Sequence, residues 1–205
     1  MSNSTLYRQE LKSRILIAAM QEFKVKGIKS VKMDDIANLL GISKRTLYET
    51  YANKEELLYE GVLSEEAGND AYLRQFAAKP KHHVMDILAE FYRLQIKNLA
   101  NINPLFFSDL HKYPRIISFL SEKHRIKELK SHEFFQKGVE EGYFLEGVDY
   151  RIIFRLANAA MQHAMQTQMY KEFDMDRLLR NTIILFIRGI CTPKGIAMID
   201  NFEWE

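Results

Sequence analysis

The chain is poor in the residues that build small secreted folds or interrupt helices. Its 205 residues include one cysteine, four prolines and nine glycines. A single cysteine cannot form an internal disulfide, which argues against a disulfide-stabilised secreted domain. No uninterrupted apolar run approaches the roughly 20 residues that cross a bilayer, and the first residues lack the apolar stretch of a signal peptide. We therefore expect a cytoplasmic protein without a membrane partner.

The sequence also lacks the common patterns of catalytic and metal sites. It has no glycine-rich phosphate loop, and Cys191 has no evident partner that would activate it as a nucleophile. The adjacent His82 and His83 would point to different faces of a helix, so they do not make a metal-binding pair. An enzyme in the helical body stays an alternative that no group of residues supports. We expect no enzyme, no metal and no cofactor.

Apolar residues recur at helical spacing along nearly the whole chain, as at Leu11, Ile15, Ala19 and Phe23. Hydrophobic residues make up 47% of the sequence, enough to bury a sizeable core. The sequence predicts an all-α fold of about nine helices. Three of them lie in the first 52 residues, and the others cover residues 53–76, 83–99, a short stretch between Pro104 and Pro114, 115–141 with a break left open near His124, 150–170 and 175–190.

Residues 33–50 have the pattern of two short helices joined by a turn. Acidic Asp34 and Asp35 fall in a first helical turn, where they complement exposed N–H groups, and Gly41 can end that helix. Ser43 is a good N-cap for the next helix, in which Leu47 would point inward. Lys44, Arg45, Thr46 and Tyr48 are then left on the other faces. This arrangement predicts a helix-turn-helix whose second helix presents side chains to DNA.

A third helix is expected to start directly after this unit. Asn53 can cap it, and Glu56 occupies the reciprocal position of a capping box. Lys54 would then lie at a helix N-terminus beside free backbone donors, which is a suitable place for a phosphate.

Charge is distributed unevenly along the chain. Residues 1–54 contain ten lysines and arginines against five acidic residues, whereas the remaining residues contain 19 against 22. The overall net charge of +2 thus combines a basic N-terminal part with a mildly acidic remainder. This asymmetry is expected when only one end of a protein meets a polyanion.

The N-terminal residues resemble the TetR family of bacterial transcriptional regulators. The similarity covers about residues 10–60 and is carried by Arg14, Ile17-Ala18-Ala19, Phe23, Gly27, Asp35-Ile36-Ala37, Gly41-Ile42-Ser43, Thr46-Leu47-Tyr48 and Lys54-Glu55-Glu56-Leu57. Arg45 departs from the pattern because many members have glycine there, so it adds a long cation where the groove would be read. The resemblance implies an N-terminal helix-turn-helix head, residues 1–52, and a helical body for effector binding and dimerisation, residues 53–205.

Exposed positions of the helix-turn-helix and the resemblance together give the predicted contacts with a double-stranded DNA operator. These residues are Lys32, Ser43, Lys44, Arg45, Thr46, Tyr48, Thr50 and Lys54. Phosphate contacts would position the head, and base contacts would specify the sequence. The alternative is a three-helix packing unit whose charged face is only solvated.

The last two predicted helices carry more apolar surface than a monomer core needs. Small residues line one helix at Ala157, Ala160 and Ala164, and the other carries Leu178, Leu179, Ile183, Phe186, Ile187 and Ile190. A four-helix bundle shared by two subunits would bury this surface. Closure of one subunit's own core is an equally good reading of the residues. Paired recognition helices read two half-sites, and the resemblance also implies a homodimer.

Aromatic and methionine residues are dense between the head and these helices, and most of them are expected to be core. Because TetR-like regulators generally hold a small molecule in this body, the resemblance implies that some line a cavity. The candidates are Phe91, Tyr92, Phe106, Tyr113, Phe119, Phe134, Met161 and His163.

The sequence thus predicts a ligand-responsive, homodimeric transcriptional regulator. We expect a repressor that binds a palindromic operator and is released by a small apolar or amphiphilic effector. The alternative is a small-molecule binding protein of the same fold that does not read DNA. A salt-dependent operator complex would distinguish the two.

Overall fold

The computed structural model describes residues 3–99 and 102–202, and most of these residues are helical. They form ten α-helices: α1 (Asn3–Lys26), α2 (Met33–Leu40), α3 (Lys44–Thr50), α4 (Lys54–Ala77), α5 (Val84–Leu99), α6 (Pro104–Leu110), α7 (Pro114–Glu140), α8 (Tyr150–Gln166), α9 (Met175–Arg188) and α10 (Pro193–Asp200). A short 3-10 helix, Met169–Lys171, separates α8 from α9. The predicted all-α fold of about nine helices is confirmed.

The helices differ from the sequence prediction in two places, an early helix end and an additional helix. The helix expected over residues 150–170 stops at Gln166, because Gln168 adopts a left-handed conformation with φ of 59°. The additional helix, α10, begins where Thr192 Oγ1 accepts the Gly195 N–H at 3.2 Å and Pro193 occupies the first helical position. α7 is continuous, so the break left open in this segment is absent.

The described residues divide into two compact units. The first unit comprises residues 3–68 and 102–119, and the second comprises residues 69–99 and 120–202. The first unit therefore contains α1 to α3, most of α4, α6 and the start of α7. The predicted division into residues 1–52 and 53–205 is a division by role, and it stays a prediction.

The core of the first unit is built from the inward faces of α1 to α4. Ile15, Phe23, Ile36, Leu47 and Leu57 are completely buried. α1 packs against α2 and α6, and α2 packs against α3. The two helices of the helix-turn-helix are too short to stay folded in isolation. They are therefore held in place by packing in this hydrophobic core.

The core of the second unit joins α5 to α9 and α10. Val84 and Met85 of α5 are completely buried in one cluster with residues of α9 and with Phe144 of the α7–α8 loop. Backbone bonds from Leu145 N–H to the Ile190 carbonyl and from Thr192 N–H to the Tyr143 carbonyl, both 2.9 Å, fasten this loop to the end of α9. Across the described part of the chain, no helix is both long and apolar enough to cross a membrane.

Candidate functional site

The turn between α2 and α3 is formed by the residues that the sequence singled out. Gly41 ends α2 in a left-handed conformation with φ of 64°, and the Ile42 N–H donates to the Ala37 carbonyl at 3.0 Å. Ser43 caps α3, since its Oγ accepts the Thr46 N–H at 3.0 Å. Leu47 is completely buried. These contacts fix which face of α3 is presented to solvent.

The exposed face of α3 carries two cations and an aromatic ring. Arg45 is 87% exposed, and its Nε donates to Glu49 Oε1 at 2.8 Å. Lys44 bonds Asp34 of α2, and this bond raises the pKa of Lys44. Exposed ion pairs of this kind contribute little free energy, so both cations can exchange their carboxylates for phosphates or bases. Tyr48 is exposed beside them.

The three hydroxyl residues of the predicted interface are engaged in local hydrogen bonds. Ser43 Oγ and Thr46 Oγ1 lie 2.8 Å apart, and Thr50 Oγ1 donates to the Thr46 carbonyl at 2.9 Å. Ser43 is exposed, whereas Thr46 and Thr50 are partly buried. Of this group, Ser43 is the most accessible to a phosphate.

Lys32 is exposed at the start of α2, where it takes the N-cap position without a side-chain capping bond. Its N–H donates instead to the Asp35 carboxylate at 2.8 Å. The Lys32 ammonium therefore does not take part in capping α2. It lies on the same helix-turn-helix as Lys44 and Arg45. A long exposed cation beside a recognition helix is suited to a phosphate contact.

Lys54 lies at the first turn of α4, and the predicted cap is present. Asn53 Oδ1 accepts the Glu56 N–H at 2.9 Å, and the Glu56 carboxylate accepts the Ala52 N–H at 2.9 Å. The Lys54 ammonium is partly buried and donates to the backbone carbonyls of Ile28 and Val31, at 2.8 Å each. These two bonds could not be predicted from the sequence, because the capping pattern places the residue but not its ammonium.

Four of the predicted ligand-binding residues lie in the second unit. Tyr92, Phe134 and Met161 all pack against its core cluster, and Phe91 meets Tyr92 edge to face with ring centroids 5.1 Å apart. Burial raises the pKa of the Tyr92 hydroxyl. The hydroxyl of a half-buried tyrosine among apolar groups is the kind of polar handle that orients an amphiphilic ligand.

The remaining predicted ligand-binding residues lie elsewhere. Phe106, Tyr113 and Phe119 belong to the first unit, where Phe106 is buried and Phe119 meets Tyr59 edge to face at 5.7 Å. His163 is exposed on α8. The aromatic-rich segment of the sequence is thus divided between two units, and a single set of eight lining residues is not assembled in either.

Four large apolar side chains of α8 and α9 are exposed, and we call this set the exposed strip. Ile152 and Leu156 of α8 and Ile184 and Leu185 of α9 are exposed, and these two helices pack against each other. By contrast, four of the six α9-region residues expected to face a partner are buried in the protomer's own core, namely Leu179, Ile183, Ile187 and Ile190. The large apolar side chains that α8 and α9 leave exposed are therefore these four, not the whole apolar face of α9.

An open cleft of about 850 Å³ lies in the second unit between α7 and the start of α8. It contains none of the eight predicted ligand-binding residues. Its charged lining includes Arg151 and the ion pair of Arg155 Nε with Glu128 Oε1 at 2.7 Å. The only weak signal for this cleft in the sequence is Gly147, which indicates a loop. In the structure Gly147 has φ of 74° and lies in the wall of the cleft.

Among the described residues, no group of three histidine, cysteine, aspartate or glutamate side chains could hold a metal ion. The candidate site with the clearest geometry is therefore the solvent-facing side of α3.

Comparison with known proteins agrees with this geometry. Residues 15–60 match the bacterial regulatory proteins of the tetR family. The chain is also similar to the HTH-type transcriptional activator FasR of Mycolicibacterium smegmatis, with 39% identity over 64 residues that make up 31% of this chain. This match covers 29% of the length of that relative.

Two solved structures resemble nearly the whole chain. A TetR-family transcriptional regulator from Marinobacter aquaeolei is similar with a TM-score of 0.72 and 18% identity, covering 92% of this chain and 95% of that one. The fatty acid degradation regulator FadR from Bacillus halodurans is similar with a TM-score of 0.63 and 20% identity, covering 87% and 95%. The N-terminal part of the chain is thus similar to the bacterial regulatory proteins of the tetR family, and the chain shares the fold of these solved TetR-family and fatty acid regulators.

Proposed function

We propose that the protein is a ligand-responsive transcriptional regulator that binds a palindromic DNA operator as a homodimer in the cytoplasm. The observation that carries this proposal is the solvent-facing side of α3, where a Ser43 cap and a buried Leu47 leave Lys44, Arg45 and Tyr48 exposed. A recognition helix needs this combination, because its inner side must be packed while its outer side enters a major groove.

The proposed DNA contacts divide by chemistry. Arg45 is the candidate for reading a base, because the Nε bond to Glu49 orients the guanidinium and leaves its terminal nitrogens for a guanine edge. Lys32, Lys44 and Ser43 are the candidates for phosphates, with Tyr48, Thr46 and Thr50 completing the surface. Phosphate contacts would supply affinity for any duplex, and Arg45 would supply preference.

Selection of bound fragments from random duplex DNA tests this function. We expect one enriched palindromic sequence, bound with an affinity that falls steeply as salt rises. The selected fragment then serves as the operator in titrations with each variant. Failure to enrich any sequence, with no salt-dependent binding of random duplex, would favour the alternative of a small-molecule binding protein that does not read DNA.

Dimerisation is proposed through the exposed strip of α8 and α9. Large apolar side chains that a protomer leaves in solvent are stabilised when a second copy covers them. Two heads related by a two-fold axis would read half-sites about 34 to 36 Å apart. Sedimentation of the protein at micromolar concentration should give the mass of a dimer.

The effector is proposed to bind in the second unit. Two locations compete, the aromatic group around Tyr92 and the charged cleft beside Arg155. Tyr92→Phe should weaken an amphiphilic effector that binds in the first location, and Arg155→Ala should weaken an anionic effector that binds in the second. Effector binding by both variants should be compared by calorimetry with that of the parent.

Linkage makes the regulatory part of the proposal testable from both directions. If an effector weakens operator binding by some factor, the operator must weaken effector binding by the same factor. A typical coupling of about 1 to 3 kcal/mol corresponds to roughly five- to 150-fold. A bound compound that leaves operator affinity unchanged would not be the effector.

Repression is the proposed direction of control, through occlusion of a promoter. FasR, the relative that this chain resembles over 64 residues, is a transcriptional activator. The direction of control therefore needs an experiment of its own. Transcription of a reporter downstream of the selected site should rise when the regulator is deleted. A fall would assign activation to the same DNA-binding protein.

A further inference from the structure

The loop between α1 and α2, residues 27–32, is held by a cation and an anion from two other helices. Lys54 at the start of α4 donates to the Ile28 and Val31 carbonyls, at 2.8 Å each. Asp109 of α6 accepts the Lys29 N–H at 2.7 Å through Oδ2. Irregular backbone must find hydrogen-bond partners, and these two side chains supply four of them, counting a longer bond of 3.5 Å from Lys54 Nζ to the Lys29 carbonyl. We call Lys54, Asp109 and the backbone of residues 28–31 the loop clamp.

Both charged groups are partly or fully withdrawn from solvent. Asp109 is buried, and its Oδ1 accepts a bond from Lys112 Nζ at 2.9 Å. Burial alone would raise the pKa of Asp109, but the bonds from Lys112 and from the Lys29 N–H hold it below its usual value. Burial lowers the pKa of Lys54, and the carboxylates of Asp109 and Asp35 act against that change. Lys54 and Asp109 thus act on adjacent parts of the same loop, and the Asp109 carboxylate favours the charged form of Lys54.

The start of the loop is packed closely against α6. Gly27 has φ of 83°, and a Cβ at this position would lie 2.9 Å from the Leu105 Cβ of α6. Asn103, just before α6, donates from its backbone N–H to the Lys24 carbonyl at 2.8 Å. The loop thus has little freedom to shift relative to α6.

The Lys54 ammonium is poorly placed to bind a phosphate at the same time. It has three donors: two bond the Ile28 and Val31 carbonyls at 2.8 Å each, and the Lys29 carbonyl lies 3.5 Å away as a longer third bond. A cation at a helix N-terminus is also disfavoured by the positive end of the helix dipole, so the carbonyl bonds offset an unfavourable location. Releasing the ammonium toward DNA would leave the Ile28 and Val31 carbonyls without this donor.

We propose that Lys54 is a positioning residue for DNA recognition, acting together with Asp109 through the loop clamp and not through a phosphate. The clamp fixes the backbone up to Val31, two residues before α2 begins, and α2 packs on the recognition helix α3. Loss of the clamp therefore lets α2 and α3 shift together, which disturbs base contacts more than phosphate contacts. The effect on DNA rests on the function proposed above, whereas the effect on stability does not.

The decisive experiment compares Lys54→Met with Lys32→Met in the full chain. Operator and random duplex are titrated over a range of salt concentrations, and urea unfolding is measured without DNA. Lys54→Met should lower the ratio of operator to random affinity by about tenfold or more, since bidentate base contacts are lost, while the log-log salt slope stays that of the parent. Lys32→Met, the matched exposed lysine, should reduce the slope by about one and leave the urea midpoint unchanged.

The opposite pattern would overturn the proposal. If Lys54→Met reduces the salt slope by about one and weakens operator and random DNA equally, Lys54 is a phosphate contact. If this variant does not fold, Asp109→Asn replaces it, because it keeps Lys54 and removes from Asp109 both the negative charge and one of the two oxygens that accept the Lys29 N–H and the Lys112 ammonium. Asp109→Asn should lower the affinity ratio at an unchanged slope, and an unchanged ratio would refute the clamp.

Failure of the proposed function leaves a separate test of the clamp. If the parent protein binds no DNA, the urea midpoints of Lys54→Met, Asp109→Asn and the double variant still report the coupling. The double variant should lose less than the sum of the two single losses, because each single change already releases the loop. Additive losses would show that the two residues act independently, and the clamp would be wrong.

Discussion

Leu185 and Ile187 lie two positions apart on α9 but in different surroundings. Leu185 belongs to the surface proposed for a partner, and Ile187 belongs to the protomer's own core. Leu185 is 70% exposed in the single chain, whereas Ile187 is 4% exposed and lies in the core cluster of the second unit. Truncating each residue to alanine therefore tests two different interactions. Leu185→Ala should act on dimerisation, and Ile187→Ala should act on folding of the protomer.

The expected magnitudes follow from burial. Ile187→Ala leaves a cavity in a packed core, so it should lower the free energy of unfolding by about 2 to 5 kcal/mol. Leu185→Ala removes apolar area that is buried only if a second copy covers it, at about 1.5 kcal/mol for each subunit. A two-fold axis counts this change twice, so the total of about 3 kcal/mol corresponds to a roughly hundredfold weaker dimer.

Sedimentation equilibrium from nanomolar to micromolar protein measures the dimer constant, and urea unfolding at low concentration measures the protomer. Leu39→Ala is the control, because Leu39 is a leucine of α2 that is 58% exposed and lies outside the proposed interface. It should leave the dimer constant unchanged. A parent protein that stays monomeric at micromolar concentration, or a Leu185→Ala dimer as tight as the parent, would refute the α8–α9 interface.

Three further predictions concern the first unit. Arg45→Ala should relax sequence preference at one symmetric operator position by about 1 to 3 kcal/mol, and uniform weakening on all sequences would make Arg45 a phosphate contact. Ser43→Ala should lower the free energy of unfolding by about 1 kcal/mol through loss of the α3 cap, whereas Ser43→Gly should have a smaller effect. The lowered pKa of Asp109 stabilises the fold above its unfolded value of about 3.9, and this stability is lost as pH falls through the folded value. Acid unfolding should therefore be less steep in Asp109→Asn, and identical acid profiles would contradict this.

The helix-turn-helix could be predicted because its signals are local. Gly41, Ser43 and Leu47 lie within seven residues, and each acts on backbone or core within one or two turns. Asn53 likewise caps α4 by bonding the N–H three residues later. Such signals depend on the sequence nearby and not on the tertiary structure, so the residues alone are enough to place them.

Contacts between distant residues could not be read in the same way. Asp109 and Lys29 are 80 positions apart, and nothing near Asp109 indicates that its carboxylate accepts a backbone N–H of the head. For the same reason, the sequence places Phe106, Tyr113 and Phe119 among the candidates for a ligand-binding body. In the structure these three residues belong to the first unit. Composition identified them as apolar but did not say which core they join.

The same limit applies to α9. Helical spacing predicts that this helix has an apolar face, but it does not predict how much of that face the protomer's own core covers. Leu179, Ile183 and Ile187 follow one another at intervals of four, so they share a stripe, and that stripe is filled by α5 and the α7–α8 loop. Leu185 stands on the opposite side of the helix, and its apolar side chain is 70% exposed in the single chain. A residue that no part of its own protomer covers is the stronger indication of a partner. The dimer proposal therefore depends on Leu185, Ile152 and Leu156, whose exposure the structure supplies and the sequence pattern does not.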